Sequence, residues 1–597
     1  MPVSTTNSTS INLKRLFLSI FLFASTTQLH AQSPDQNYNL LLAGGALKTC
    51  SSMSLGSCTG NPFTENAKSH LLYKISPEAI QNFTSSKIFQ QQPDETKAKF
   101  NALFTHFYAK SSETVTSIRA LSELLDQSNS DIGAVEFIRS LPDPIYYALQ
   151  DFFEIPNPKP EKVNLTANKS NRVKDIYIEF LAQARNKHLQ EGKSDDIPVQ
   201  IGVMTASARD SLSVAEFYQN VFLSAAKLGF PETEFNVKWV PLDISLATVL
   251  KEKERGYGSC DSMEQIRASN LSFNRLTIYP EAIQQQQDIC SNPQKLTQQI
   301  SSLSGLFING GDQNRTRSTL VKDDGSATIW LNIIHKKLHD NHLILGGTSA
   351  GTAVQSGGIV KQRPVPMITS GDTLTAMFRG AFALAPPPYG CEKSNDCPYG
   401  LFESDLTYNP QGGLGTFSAG ILDTHFSERD RQGRLALLAA ATKTPLAFGV
   451  DEATALLVDT SNNETMNFKV MGEGGVFIVS TKNGIYKSQA QKHQLVGMSH
   501  YLTHGDRGQL SLHSGQFEFY FSESKTALTE PLPVISEHRG RWRNEVNTIC
   551  GKNTFHRWHE DDIAFLVNPS EETAFYTIPE NPEAHCSYVN LLFGIEN

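Results

Sequence analysis

The 597-residue sequence carries no excess of basic charge, no C-x-x-C pair, no internal repeat and no apolar run long enough to span a bilayer. Each absence excludes something. With 52 Lys and Arg against 61 Asp and Glu, the net charge is −9, and a nucleic-acid binder would instead show a basic face. Without repeats the chain is neither a solenoid nor an array. The longest N-terminal apolar stretch, Leu16 to Ala24, is well short of the roughly 20 residues a membrane-spanning helix requires.

What precedes and follows that stretch is informative. Lys14 and Arg15 stand before it, and small and polar residues lead to Ala31. A positive start, a short apolar run and a small residue at the cut describe a signal peptide over 1–31, although Leu29 is a poor residue at the third position before the cut. The expected location is periplasmic or secreted, with no membrane association after cleavage. The eight cysteines fall as near neighbours, Cys50 with Cys58, Cys260 with Cys290, Cys391 with Cys397 and Cys550 with Cys586. An even count in an exported chain favours four local disulfides, without fixing their connectivity. A metal site from Cys391 and Cys397 is the competing reading, with no histidine close to that pair to complete it.

Strand-like and helix-like patterns alternate along much of the chain. Residues 39–45 read as a buried strand entering a Gly-Gly turn, 198–205, 237–242, 306–309 and 342–345 as further strands, and 213–228 and 329–338 as helices. Such alternation implies a parallel sheet covered on both faces. Two regions depart from it. From about 60 to 195 the composition is polar, with helical periodicity at 112–126 and 172–191 and Pro156, Pro158 and Pro160 as punctuation. After 446 short strands follow (446–450, 454–458, 467–471, 475–480), and the last 85 residues or so read as irregular with several aromatics.

The chemistry concentrates in four segments. Leu345-Gly-Gly-Thr-Ser349-Ala-Gly-Thr-Ala353 ends a hydrophobic strand in glycines and opens a helix with small residues. This is the pattern that lifts a serine hydroxyl above a sheet edge in a strained turn, with backbone N–H groups aimed at a developing oxyanion. A bare glycine-rich turn cradling a phosphate is the plainer alternative. Phe307-Ile-Asn-Gly310-Gly311-Asp-Gln313 is another strand and Gly-Gly turn. Ile421-Leu-Asp423-Thr424-His425-Phe-Ser-Glu428-Arg429-Asp430-Arg431-Gln-Gly-Arg434-Leu435 delivers a histidine followed by three arginines. Phe448-Gly-Val-Asp451-Glu452-Ala-Thr-Ala455 puts two acids into a buried strand context, where each needs a hydrogen-bonding partner. A histidine at a strand end suits a general base for Ser349.

In order and spacing these segments resemble peptidase family S51, and within it the cyanophycinases more than dipeptidase E. The resemblance spans roughly 196–510, with the strand at 39–45 as the family's first. It implies an α/β parallel-sheet sandwich of flavodoxin-like or class I glutamine amidotransferase-like type. The chain then divides into the leader 1–31, a discontinuous catalytic domain of 32–59 and 196–510, a mostly helical insertion 60–195 and a C-terminal extension 511–597. The resemblance further implies a triad of Ser349, His425 and Glu452, oxyanion donors on Gly311 and Ala350, and substrate contacts from Gln313, Asp423, Arg429, Arg431 and Arg434. It implies no metal or cofactor, a homodimer, and as substrate either multi-L-arginyl-poly-L-aspartate, cleaved to β-Asp-Arg, or small isoaspartyl peptides. Thr424 stands where the cyanophycinases have Gln, and the insertion and extension have no counterpart in the minimal enzyme. Two other readings share parts of the pattern. An α/β-hydrolase esterase would order its residues Ser, acid, His, whereas here the histidine precedes the acid. A non-catalytic binding protein on the same scaffold is the second.

Overall fold

Leu40–Ala43 is an unbroken apolar run because both sides of it are covered. Successive side chains of a strand point to opposite faces. Leu40 and Leu42 enter one core, with Leu345, Phe448, Leu456 and Ile478, and Leu41 and Ala43 enter another, with Phe180, Phe222 and Phe307. The computed structural model describes residues 37–360, 362–489, 492–528, 539–552, 554–579 and 585–597; the expected signal peptide lies outside them. The architecture is mixed α/β, with a nine-stranded sheet at its centre. From edge to edge its order is Phe517–Tyr520, Arg507–Ser511, Thr465–Gly472, Thr454–Asp459, Leu40–Ala43, Ile344–Thr348, Gly305–Ile308, Val199–Met204 and Phe235–Val240. The last five run parallel, and Thr454–Asp459 joins Leu40–Ala43 antiparallel.

On one face lie the helices Asn171–Gln190 and Ala215–Gly229. The helix Asn171–Gln190 comes so close that a Cβ on Gly346 would stand 2.9 Å from the Phe180 ring. On the other face lies a second sheet. Ile421–Thr424 pairs in parallel with Leu446–Val450 across the helix Gln432–Thr442, and antiparallel strands Gly475–Gln489, Lys492–Thr503, Ser587–Glu596, Ile563–Asn568 and His556–Glu560 follow. The carboxyl ends of Ile344–Thr348, Ile421–Thr424 and Leu446–Val450 are brought to one place, although they belong to two sheets.

The expected strands and helices occur, with ends moved by a few residues, except that the strand expected at 475–480 runs through Gly475–Gln489. The expectation of an irregular final segment is corrected. Phe517–Tyr520 extends the first sheet, and Ser587–Glu596 pairs along Lys492–Thr503 with Met498 opposite Leu592. Those strands carry their aromatics inward, Trp558, Phe565 and Phe593 packing around Trp542. The stretch from 60 to 195 is mostly helical, including Ile118–Ser128 and Asn171–Gln190, with a small sheet of Leu72–Lys74, Thr114–Val115 and Glu154–Ile155. Its polar composition conceals a core of its own, with Phe83, Phe100, Phe104 and Phe153 fully buried. All four near-neighbour cysteine pairs are joined: Cys50–Cys58, Cys260–Cys290, Cys391–Cys397 and Cys550–Cys586. The sulfurs of Cys391 and Cys397 are thereby spent on each other, which displaces the metal-site reading. Among the described residues no helix is long and apolar enough to cross a membrane.

Candidate active site

Ser349 follows the strand Ile344–Thr348 with φ +53° and ψ −115°, a conformation a non-glycine residue holds only at a cost of about 1–3 kcal/mol. The short helix Ala350–Ala353 begins directly after it. Small residues here are a packing requirement: a Cβ on Gly351 would stand 2.3 Å from the Ile308 carbonyl oxygen. The strained turn is closed from below by Thr352, whose hydroxyl donates to the carbonyls of Ala43 (2.7 Å) and Gly347 (2.9 Å).

The turn after the first strand organises its surroundings through three consecutive carbonyls. Ala43 accepts from the N–H of Ser349 (3.0 Å), Gly44 from the N–H of His425 (2.7 Å), and Gly45 from the N–H of Ala453 (2.9 Å), the residue after Glu452. Gly45 has φ +107°, and a Cβ there would stand 2.4 Å from both Cε1 and Nε2 of the His425 ring. Sequence reading recognised the two glycines as a turn and missed this role. The signal was a doubled glycine immediately after a fully apolar strand.

The three candidate side chains form a hydrogen-bonded row. Ser349 Oγ is 2.8 Å from His425 Nε2, and His425 Nδ1 is 2.8 Å from Glu452 Oε1. Burial pushes the His425 pKa below its ordinary 6.5; the Glu452 hydrogen bond opposes this, and the charges of Arg429 and Arg431 add to the lowering. The imidazole is therefore neutral near pH 7 and able to accept a proton from Ser349. The sign follows directly: a base with a depressed pKa loses function only when pH falls through that lower value. The acid limb of kcat/KM should have its midpoint below pH 6.5, and a midpoint above 6.5 would contradict the assignment of His425 as base.

Gly310 packs against the serine, with a Cβ there 3.3 Å from Ser349 Cβ. The N–H groups of Gly311 and Ala350 have no protein acceptor among the described residues, which leaves two donors for an oxyanion. Gln313 donates its amide hydrogens to the carbonyls of Ile368 (2.9 Å) and Thr369 (3.1 Å), tying the 307–313 segment to the strand Met367–Ser370.

The arginines divide by environment. Arg429 is exposed, and its guanidinium has no protein partner among the described residues. Arg431 reaches back to the Thr424 carbonyl (2.5 Å) and Asp423 (3.4 Å). Burial and the nearby Arg434 charge bring its pKa down to about 9, so it keeps its charge at neutral pH. Arg434 and Asp423 are both buried and meet in a fork of two hydrogen bonds, 2.8 and 2.6 Å, while Arg434 also donates to the Gly371 carbonyl. Burial alone would raise the Asp423 pKa, but Arg434 and Arg431 outweigh it and hold the carboxyl below its ordinary value. Arg434→Met would remove the two short bonds to the buried Asp423 carboxylate, leaving it the longer Arg431 contact, and should cost about 3–5 kcal/mol. Thermal unfolding checks this, and a variant within 1 °C of the parent Tm would refute it.

A cavity of 1320 Å³ lies elsewhere, between the 156–160 segment and the edge strand Phe235–Val240, and is lined by none of Ser349, His425 and Glu452. The residues brought together here come instead from strand ends and turns: a hydroxyl, an imidazole and a carboxylate in hydrogen-bonded sequence, beside two backbone N–H groups without a protein acceptor among the described residues.

No family model matches the chain. Its likeness to known proteins is partial and of the peptidase S51-like kind. The particular relatives are cyanophycinases: those of Trichormus variabilis and a Nostoc species are each 29% identical over 180 residues, covering 30% of this chain and 46% of the relative. That of Synechococcus elongatus is 27% identical over 197 residues, covering 33% of this chain and 48% of the relative. The matched part thus spans about half the length of these relatives. A crystal structure of a peptidase from an acI-B1 Actinobacterium aligns with a TM-score of 0.31 and 13% identity, over 57% of this chain and 91% of that one.

Proposed function

We propose that this chain is an exported serine-type peptidase on a flavodoxin-like, glutamine amidotransferase-like scaffold, acting on cyanophycin or on small isoaspartyl peptides. The observation that carries the reading is the row Ser349–His425–Glu452, each step 2.8 Å long. His425 takes the Ser349 proton as Oγ bonds to the scissile carbonyl carbon, and Glu452 holds the imidazole tautomer and stabilises its positive charge. The carbonyl oxygen becomes an oxyanion received by the Gly311 and Ala350 N–H groups. As the C–N bond breaks, His425 returns the proton to the leaving amine. Water, deprotonated by the same imidazole, then cleaves the acyl ester and frees Ser349.

The partial likeness to cyanophycinases supports multi-L-arginyl-poly-L-aspartate as the substrate class. Arg429 is exposed, without a protein partner among the described residues, and its charge acts on His425; it suits a substrate carboxylate through a two-pronged charge-assisted contact. Of the other residues expected to meet substrate, Asp423 and Arg434 are buried against each other, and Arg431 and Gln313 are bonded to backbone carbonyls. The decisive experiment incubates purified protein with cyanophycin granules and follows release of β-Asp-Arg, with Ser349→Ala as control. Release by the parent and none by the variant is the expected result. Intact granules together with turnover of isoaspartyl dipeptides would assign the smaller substrate, and turnover of neither would sink the reading.

A further inference from the structure

Behind Glu452 lies a group of buried charges that the reaction above does not use. Asp451, fully buried, accepts from the N–H of Ser427 (2.9 Å), the N–H of Gly475 (3.1 Å) and the Tyr501 hydroxyl (2.6 Å). Glu428 accepts from the N–H of Glu452 (2.9 Å). Between these two carboxylates stands Arg543, which donates to Glu428 Oε1 and Asp451 Oδ2, each at 2.9 Å. Arg543 belongs to the helix Arg541–Asn547, far along the chain from the motifs.

That helix is seated firmly. The N–H of Arg541 donates to Asp430 (2.6 Å). Trp542 packs on Phe477, which stacks on Phe426, the residue after His425. Cys550, just beyond the helix, is bonded to Cys586 at the start of the strand Ser587–Glu596. Burial and the Asp451 charge raise the Glu428 pKa to about 7, against the pull of Arg543. Without the guanidinium, Glu428 and Asp451 would lose the donor that holds them together and their mutual repulsion would push Glu428 further toward its protonated form, rearranging the hydrogen bonds that hold Ser427 and Glu452.

We propose that Arg543 is a positioning residue for the reaction: it ties Glu428 to Asp451 and through them fixes the backbone of Glu452 and the turn that carries His425. The inference rests on the reading of Ser349, His425 and Glu452 given above. It makes the C-terminal segment part of the catalytic apparatus, acting through Glu452 without touching substrate. Such an arrangement suits a base whose geometry must be held to a fraction of an ångström.

The test follows the rate at which a fluorophosphonate probe labels Ser349 in the full disulfide-bonded chain. Arg543→Met should slow labelling on the order of tenfold or more, Arg543→Lys by less. Residues acting as one unit are non-additive, so Arg543→Met combined with Glu452→Gln should label no more slowly than Glu452→Gln alone. Lys525→Met, which breaks a buried ion pair to Asp506 elsewhere in the same segment (2.7 Å), serves as the stability control and should label at the parent rate. Should Arg543→Met fail to fold, Arg543→Lys and its combination with Glu452→Gln carry the comparison. A parent-like rate in the Arg543 variants, effects that multiply in the double variant, or equal slowing by Lys525→Met at equal loss of Tm would each overturn the inference. A parent protein that is never labelled overturns the underlying reading, and the inference falls with it.

Discussion

Ser349→Ala should fold as the parent does and lose catalysis by a factor on the order of 10⁶ in kcat, the scale seen when a serine nucleophile is removed from a triad. The argument is local. The Ser349 hydroxyl contacts His425 Nε2, while the turn itself is held by backbone bonds that alanine retains, from the Ser349 N–H to Ala43 and from Thr352 and Ala353 to the Ser349 carbonyl. Stability should therefore change little while the nucleophile disappears. Hydrolysis assays, probe labelling and thermal unfolding on the same preparation separate the two effects. Residual activity within tenfold of the parent would show that another group attacks the substrate.

Gly45→Val should be nearly as damaging without removing any reacting group. A Cβ at position 45 would sit 2.4 Å from the His425 ring, far inside contact distance, and the φ of +107° is one that valine avoids. Either the ring or the turn must move. In both cases Nε2 leaves the hydroxyl or Nδ1 leaves Glu452, which should cost on the order of 10⁴-fold in kcat. Gly56→Ala, in the same segment, meets nothing within 4 Å and should behave as the parent. Retained labelling of Ser349 in Gly45→Val would mean that the first turn is not the support described here.

Much of the fold was legible because burial leaves a simple imprint on covered parallel strands. Leu40–Ala43 and Gly305–Ile308 are continuous buried runs, and each is followed by a Gly-Gly turn. The patterns likewise marked Ser349 in a tight glycine-rich turn, His425 at a strand end and two acids, Asp451 and Glu452, in a buried strand; the choice of Glu452 came from the resemblance to peptidase family S51. The final segment was hard to read for the opposite reason. His556–Glu560 alternates buried and exposed positions within five residues, too short a stretch for periodicity to stand out. The phenylalanine core of residues 60–195 is diluted by the charged faces of its helices, so composition reports the surface and conceals the interior.

The division of labour among the arginines was hidden from sequence altogether. Arg429, Arg431 and Arg434 are three identical side chains within six residues, yet one is exposed, one half-buried and one buried against Asp423. What decides is the neighbour each meets, and Gly371, which takes a hydrogen bond from Arg434, comes from a distant strand connection.

Local sequence by itself determined which stretches become strands and helices, because that depends on side-chain type and on spacing of two or 3.6 residues, and it singled out the segments around Ser349, His425 and Glu452 as candidates. Only the tertiary structure decided which carbonyls hold the serine, histidine and acid in one row, and that Arg543 stands behind them. Those contacts join residues tens to hundreds of positions apart, where geometry is set by how two sheets and their helices pack, and no short-range pattern records it.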